Sequence, residues 1–121
     1  MAELKILMVD DEQEFLSALT RRLEEKGVQV KGVTDPNLAL QIMEEELYEL
    51  VVIDRMMPKM SGDELMEKIH AKWPNTQIIM LTGYGSVQHA FKTGKKGIAG
   101  YLGKPCNADE LYNMIRKVFE G

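Results

Sequence analysis

Residues 50–54 read Leu50-Val51-Val52-Ile53-Asp54: four bulky apolar side chains in a row, stopped by a carboxylate. A strand with one face in water alternates apolar and polar residues, whereas a strand covered on both faces is continuously apolar. The run is therefore predicted as a central strand of a parallel sheet. Two more runs share its character: Ile6–Val9, followed by Asp10 and Asp11, and Ile78–Leu81, followed by Thr82. Val28–Val33 is broken by Gln29 and Lys31, and Ile98–Leu102 is short and contains Gly100. Those two read as the sheet's edges, where one side meets water.

Helical patterns fill the gaps between the runs. Phe15, Leu16, Leu19 and Leu23 form one apolar stripe, with Gly27 as its stop. Asp35-Pro36 reads as an N-cap with proline in the first turn, ahead of Leu38, Ile42 and Met43. Ser61 with Glu64, and Asn107 with Glu110, have capping-box spacing. Trp73, before Pro74, ends the third helix. A fourth helix is expected from about Ser86 to Thr93 on thinner grounds, with Val87, Ala90 and Phe91 as its apolar residues. Strand and helix thus alternate five times. That pattern specifies an α/β fold, a doubly wound five-stranded parallel sheet with helices on both faces.

Composition bounds the class. At roughly 150 residues per domain, 121 residues make one domain, taken here as 1–121. Apolar residues are 45% and charged residues 28%, an ordinary globular balance. Fifteen basic against nineteen acidic residues leave a net charge of -4, which argues against direct nucleic-acid binding. No apolar run approaches the ~20 residues of a membrane span, and Asp10-Asp11 interrupt any signal-peptide pattern. The single cysteine, Cys106, excludes an intrachain disulfide and suits a reducing, cytoplasmic setting. Cys106 stands near a helix start, where a thiol pKa can fall. His70 and His89 have no ligand-spaced partner and read as solvated, and Lys92, Lys95 and Lys96 as a solvated face.

In doubly wound sheets, ligands bind beyond the carboxyl ends of the strands. Those ends carry Asp10 and Asp11, Asp54, Thr82, and Lys104. Asp10 and Asp11 alone could be a helix-start cap, and Glu12 reads as a first-turn acid of the helix. Together with Asp54 they are costly: two like charges ~4 Å apart at an effective dielectric of 20 repel by roughly 4 kcal/mol. Lys104 offsets part of this, and a bound divalent cation would offset the rest. Oxygen ligands without histidine or thiolate favour Mg²⁺, with Mn²⁺ as a substitute, over zinc. A hard metal beside a lysine and a hydroxyl suits the oxygens of a phosphoryl group.

These residues, in this order, carry a resemblance. Asp10-Asp11-Glu12, Asp54 with Met57-Pro58 and Gly62, Thr82-Gly83, and Tyr101 with Lys104-Pro105 resemble the receiver domain of two-component response regulators over nearly the whole chain. The resemblance implies a flavodoxin-like (βα)5 sheet of order 2-1-3-4-5, like that of the chemotaxis regulators. It implies that Asp54 accepts a phosphoryl group from a sensor histidine kinase or a phosphotransfer protein. Asp11, Asp54 and the backbone carbonyl of Met56 would ligate Mg²⁺, with Asp10 acting largely through water. Lys104 would pair with a phosphoryl oxygen, and the Lys104-Pro105 bond would be cis. Thr82 would be the switch hydroxyl, and Tyr101 the aromatic that turns inward, remodelling the face of the fourth helix, fifth strand and fifth helix. Met56 and Tyr84 would flank the acceptor and prolong the phosphoryl lifetime.

By the same resemblance the domain is a signalling phosphoacceptor and not an enzyme, with an output domain or effector as target and phosphorylation-dependent homodimers as one outcome. A Mg²⁺-dependent phosphohydrolase is the competing reading, but the hydrolases of related fold resemble an Asp-x-Asp pattern after the first strand, unlike Asp10-Asp11 here. A receiver that only holds partners together is a third, disfavoured by the intact acceptor set. The chain ends soon after its fifth helix, as a stand-alone regulator or an excised receiver would. Leu81-Thr82-Gly83-Tyr84-Gly85 is similar to receivers attached to transcriptional activators.

Overall fold

The computed structural model describes residues 4–83, 87 and 97–120. Five strands, β1 (Lys5–Val9), β2 (Gln29–Val33), β3 (Leu50–Asp54), β4 (Gln77–Gly83) and β5 (Gly100–Lys104), form one parallel sheet in the order β2-β1-β3-β4-β5. Helices α1 (Gln13–Glu25), α2 (Pro36–Glu45), α3 (Gly62–Lys72) and a C-terminal helix (Ala108–Glu120) flank it. The helix expected at Ser86–Thr93 lies outside the described residues apart from Val87, as do His89, Lys92, Lys95 and Lys96.

Side-chain alternation divides the core in two. Leu7, Val9, Val51, Ile53, Ile78 and Met80 point to one face, against Ala39 and Met43 of α2 and Leu65, Met66 and Ile69 of α3. Ile6, Met8, Leu50, Val52, Ile79 and Leu81 point to the other, against Leu16, Leu19 and Leu23 of α1 and Leu111 and Ile115 of the C-terminal helix. Each central strand is thus buried on both faces, which explains its unbroken apolar run. β2 and β5 are the edges, as expected, and β2 is exposed over most of its length.

Local chemistry sets the helix ends. The Asp35 carboxylate accepts from Asn37 N–H at 2.9 Å with Pro36 in the first turn, and the Ser61 hydroxyl accepts from Glu64 N–H at 3.1 Å. At the C-terminal helix, Glu110 N–H donates to Asn107 Oδ1 (2.8 Å) while Asn107 N–H donates to Glu110 Oε1 (3.1 Å), a complete capping box. α1 stops where Gly27 takes φ +95°, a conformation glycine adopts without steric cost. Trp73 is the C-cap of α3.

Two boundaries differ from expectation in ways that matter for the site. β4 continues through Thr82 to Gly83, so the hydroxyl belongs to the strand instead of following it. β5 starts at Gly100 and not Ile98, and ends at Lys104. Gly97, with φ +98°, turns the chain, Ala99 N–H reaches Ile78 O at 2.7 Å, and only then does regular pairing begin.

Candidate functional site

The parallel register brings the carboxyl ends of β1, β3, β4 and β5 together. Val9 pairs with Ile53, Asp54 with Leu81, and Gly83 with Lys104. Asp10 and Asp54 are only 1% and 4% exposed, so both carboxylates lie in the floor of the site. Asp10 Oδ1 accepts from Glu12 N–H at 2.8 Å, and Asp54 Oδ1 from Met56 N–H at 3.2 Å. Lys104 reaches over both. Its Nζ donates to Asp10 Oδ1 (3.2 Å) and Asp54 Oδ2 (3.3 Å) and also contacts Glu12. The Phe15 ring lies beneath it, with its centroid 4.9 Å from Nζ.

Electrostatics follow from this crowding. Burial, and then the charge of Asp10, push Asp54 up to about 6, against the pull of Lys104 and the Met56 N–H; a side-chain hydrogen bond with Asp11 adds to the rise. Burial also raises Asp10, partly countered by the Glu12 N–H and by Lys104. For Lys104, burial works against the charge, but hydrogen bonds to Glu12 and Asp10 and the two aspartate charges outweigh it and hold the ammonium above its usual range. The site thus has more carboxylate than one lysine can neutralise.

That surplus bears on the cation. Asp10 Oδ2 is buried without a hydrogen bond: Nζ is 2.9 Å away, yet its hydrogen bond is directed at Oδ1. One carboxylate oxygen each from Asp10, Glu12 and Asp54 lies within 4.8 Å of the others. An open lone pair in an all-oxygen cluster fits a hard divalent cation. Asp11 is exposed and is not a member of that cluster. Glu12 is its third member, but its exposed carboxylate is committed to Lys104, which leaves the buried Asp10 and Asp54 oxygens to face a cation. The sequence reading of Glu12 as a first-turn acid is corrected: it is the N-cap of α1, and its side chain makes no capping bond. Glutamate is not among the favoured N-cap residues, and that was the one signal in the sequence that its side chain was committed elsewhere.

Thr82 is buried, one residue beyond the partner of Asp54. With a period of two it falls on the face of β4 that carries Met80, and Met80 pairs with Tyr101, which is buried in the same core. Hydroxyl and aromatic therefore share one side of the sheet. The Met56 side chain is 77% exposed, and Tyr84 lies outside the described residues. Cys106 departs from expectation: burial first, then Glu110, push its thiol up to about 11. His70 is half-buried, its Nδ1 buried without a hydrogen bond, and not solvated as expected. Lys104-Pro105 is cis, as the resemblance implied.

Two structural residues behind Asp54 also emerge. A Cβ on Gly62 would lie 2.5 Å from the carbonyl oxygen of Asp54 and 2.6 Å from Arg55 Cα, so only glycine fits. Arg55 Nε is bound to Asp63 Oδ2 at 3.1 Å, tying the start of the β3–α3 loop to its end.

The family profile of the response regulator receiver domain matches residues 6–116. The chain belongs to this family. As a receiver domain it is a phosphoacceptor of two-component signal transduction and not a turnover enzyme. Response regulator protein FleR of Pseudomonas aeruginosa is 31% identical over 113 residues, 93% of this chain and 24% of FleR. Photosynthetic apparatus regulatory protein RegA of Rhodobacter capsulatus is 31% identical over 110 residues, 91% of this chain and 60% of RegA. This receiver thus spans only part of the length of these curated relatives. Among solved structures, a receiver domain protein of Clostridium thermocellum is 32% identical with TM-score 0.87, covering 97% of this chain and 94% of that one. A CheY-like receiver protein of Methanospirillum hungatei JF-1 is also 32% identical with TM-score 0.87, covering 98% and 96%. Among the described residues, no helix is long and apolar enough to cross a membrane.

Proposed function

We propose that Asp54 is the phosphoacceptor, and that the domain passes a phosphoryl signal from a sensor histidine kinase or phosphotransfer protein to an output domain or effector. The observation that carries this reading is the Lys104 ammonium hydrogen-bonded to both Asp10 and Asp54 where β1, β3 and β5 end. An Asp54 oxygen attacks phosphorus as the N–P bond of a phosphohistidine breaks, its electron pair staying on the imidazole. Asp54 becomes an acyl phosphate. Transfer through a loose transition state asks for positioning and charge neutralisation more than for covalent help. Lys104 holds a phosphoryl oxygen, and the Met56 N–H orients the Asp54 carboxylate. Asp11, Asp54 and the Met56 carbonyl would hold Mg²⁺, or Mn²⁺ in its place, with Asp10 beside them. When bound, the cation neutralises charge on the phosphoryl oxygens.

Added charge and acceptor oxygens at Asp54 then draw the Thr82 hydroxyl toward the phosphoryl group, and Tyr101 repacks on the same side of the sheet. The face around β5 and the C-terminal helix changes, biasing a two-state equilibrium that a partner or a second copy of the domain reads. Incubation with acetyl phosphate and Mg²⁺, followed by mass spectrometry, tests the reading. One phosphoryl group on Asp54, absent from Asp54→Asn, is expected. Labelling elsewhere, or continuous turnover of acetyl phosphate without an adduct, would defeat it.

A further inference from the structure

The three hydrogens of the Lys104 ammonium are matched by three carboxylates: Asp10, Asp54 and Glu12. None is left over. If Lys104 is to hold a phosphoryl oxygen, it must first give up one of these partners, and the three are not equivalent. Asp10 is 1% exposed, so stripped of the ammonium it would keep a buried charge with no water to replace the lost bond. Asp54 is the group to be modified. Glu12, by contrast, has a side chain 63% exposed while that of Lys104 is 15% exposed, so its carboxylate regains water as soon as it lets go.

Glu12 is also placed for this task by its own backbone. As the N-cap of α1 it donates its N–H to Asp10 Oδ1, which fixes it beside the site, while its side chain makes no capping bond. It reaches Lys104 across 92 residues of sequence. The Phe15 ring, one turn into the same helix, supports the ammonium from below. One helix start therefore supplies both the surface Lys104 rests on and a carboxylate that holds it at the mouth of the site.

We infer that Glu12 is a positioning residue that holds Lys104 in the resting domain, and that the phosphoryl group must displace it. This deepens the phosphoacceptor reading and rests on it. Glu12 thereby sets how readily a phosphoryl anion is accepted, without itself touching the reacting atoms.

Two variants separate the role from simple charge removal. Glu12→Gln removes the charge. Glu12→Asp keeps the charge but shortens the side chain by one methylene, withdrawing it from Lys104. Affinity for beryllofluoride, a phosphoryl mimic, is titrated in Mg²⁺ and followed by backbone amide NMR, with Mg²⁺ affinity titrated separately. Both variants should bind beryllofluoride about three- to tenfold more tightly than the parent, with Mg²⁺ affinity changed less than twofold. Unchanged beryllofluoride affinity in both overturns the inference. So does tightening in Glu12→Gln alone, which would mean a general charge effect. A tenfold loss of Mg²⁺ affinity in either would make Glu12 a metal ligand instead. Acetyl phosphate labelling of the parent protein keeps the two levels apart: an Asp54 adduct with no beryllofluoride response defeats only the role of Glu12, whereas absence of the adduct defeats both. Glu12 lies outside the core, and should Glu12→Gln not fold, the Glu12→Asp titration decides by itself.

Discussion

Asp54 is held in a state that its own ionisation destabilises. Burial and the Asp10 charge raise its pKa from 3.8 to about 6, so between those values the folded protein binds a proton that the unfolded chain does not. Stability from this group is thus fully present below about pH 4 and is lost as pH rises through about 6. A rise of about two pKa units is worth about 3 kcal/mol. In EDTA, Asp54→Asn and the parent should show similar urea stability near pH 4 and diverge as pH rises, the variant ending up to about 3 kcal/mol more stable at pH 7.5. Parallel pH profiles would mean that Asp54 is already ionised at little cost. Gly62 tests the same residue from behind. Gly62→Ala forces a methyl against the Asp54 carbonyl and the Arg55 backbone, neither of which can move aside like a flexible side chain. It should cost about 1–3 kcal/mol in chemical denaturation and slow acetyl phosphate labelling of Asp54. Full stability with normal labelling would show that the loop accommodates it. At this scale the sequence was legible where residue type sufficed: three carboxylates and a lysine at strand ends already implied a crowded anionic pocket. Glu12 was not legible as a partner of Lys104, because 92 residues separate them and only the parallel register brings them together. The Cys106 thiol was not legible for a related reason, since burial is a property of the packed molecule and it outweighs proximity to a helix start.

At the scale of elements, what is local in sequence could be read and what depends on neighbours could not. Asn107 and Glu110 exchange both bonds of a capping box, three residues apart, as their spacing implied. The strands' two-sided burial likewise follows from unbroken apolar runs. The ends of β4 and β5 shifted because pairing, rather than composition, decides where a strand stops: Gly83 still pairs with Lys104. This placement starts the C-terminal helix close to the site, since its N-terminal box begins three residues after Lys104. Asn107→Ala removes one side-chain cap and should cost about 1 kcal/mol, seen as a lower urea midpoint with an unchanged slope. Phosphoryl uptake at Asp54 should persist, because Lys104 is also anchored by β5. A loss of labelling as large as that of a Lys104 substitution would instead show that the helix start positions the lysine.

For the molecule as a whole, the site is a local debt carried by a marginally stable domain. Domains of this size are stable by only about 5–15 kcal/mol, so a few kcal/mol of carboxylate repulsion is a visible fraction of the total. Asp54→Ala should remove part of that repulsion and raise the melting temperature in EDTA; at about 4 °C per kcal/mol the shift is readily measured. Adding Mg²⁺ acts in the opposite sense on the comparison. A cation that binds only the folded state stabilises by RT ln(1 + [L]/Kd), about 2.7 kcal/mol at a hundredfold excess over Kd. The parent, with its full carboxylate set, should gain this in full. The variant has lost one carboxylate and should gain little. Plotted against Mg²⁺ concentration, the two melting temperatures should therefore approach each other and cross, the variant being the more stable without the cation and the parent with it. Curves that stay parallel would mean that Asp54 does not contribute to holding the cation. A variant less stable than the parent in EDTA would mean that the contact from Lys104 to Asp54 contributes more to folding than the crowding beside Asp10 costs.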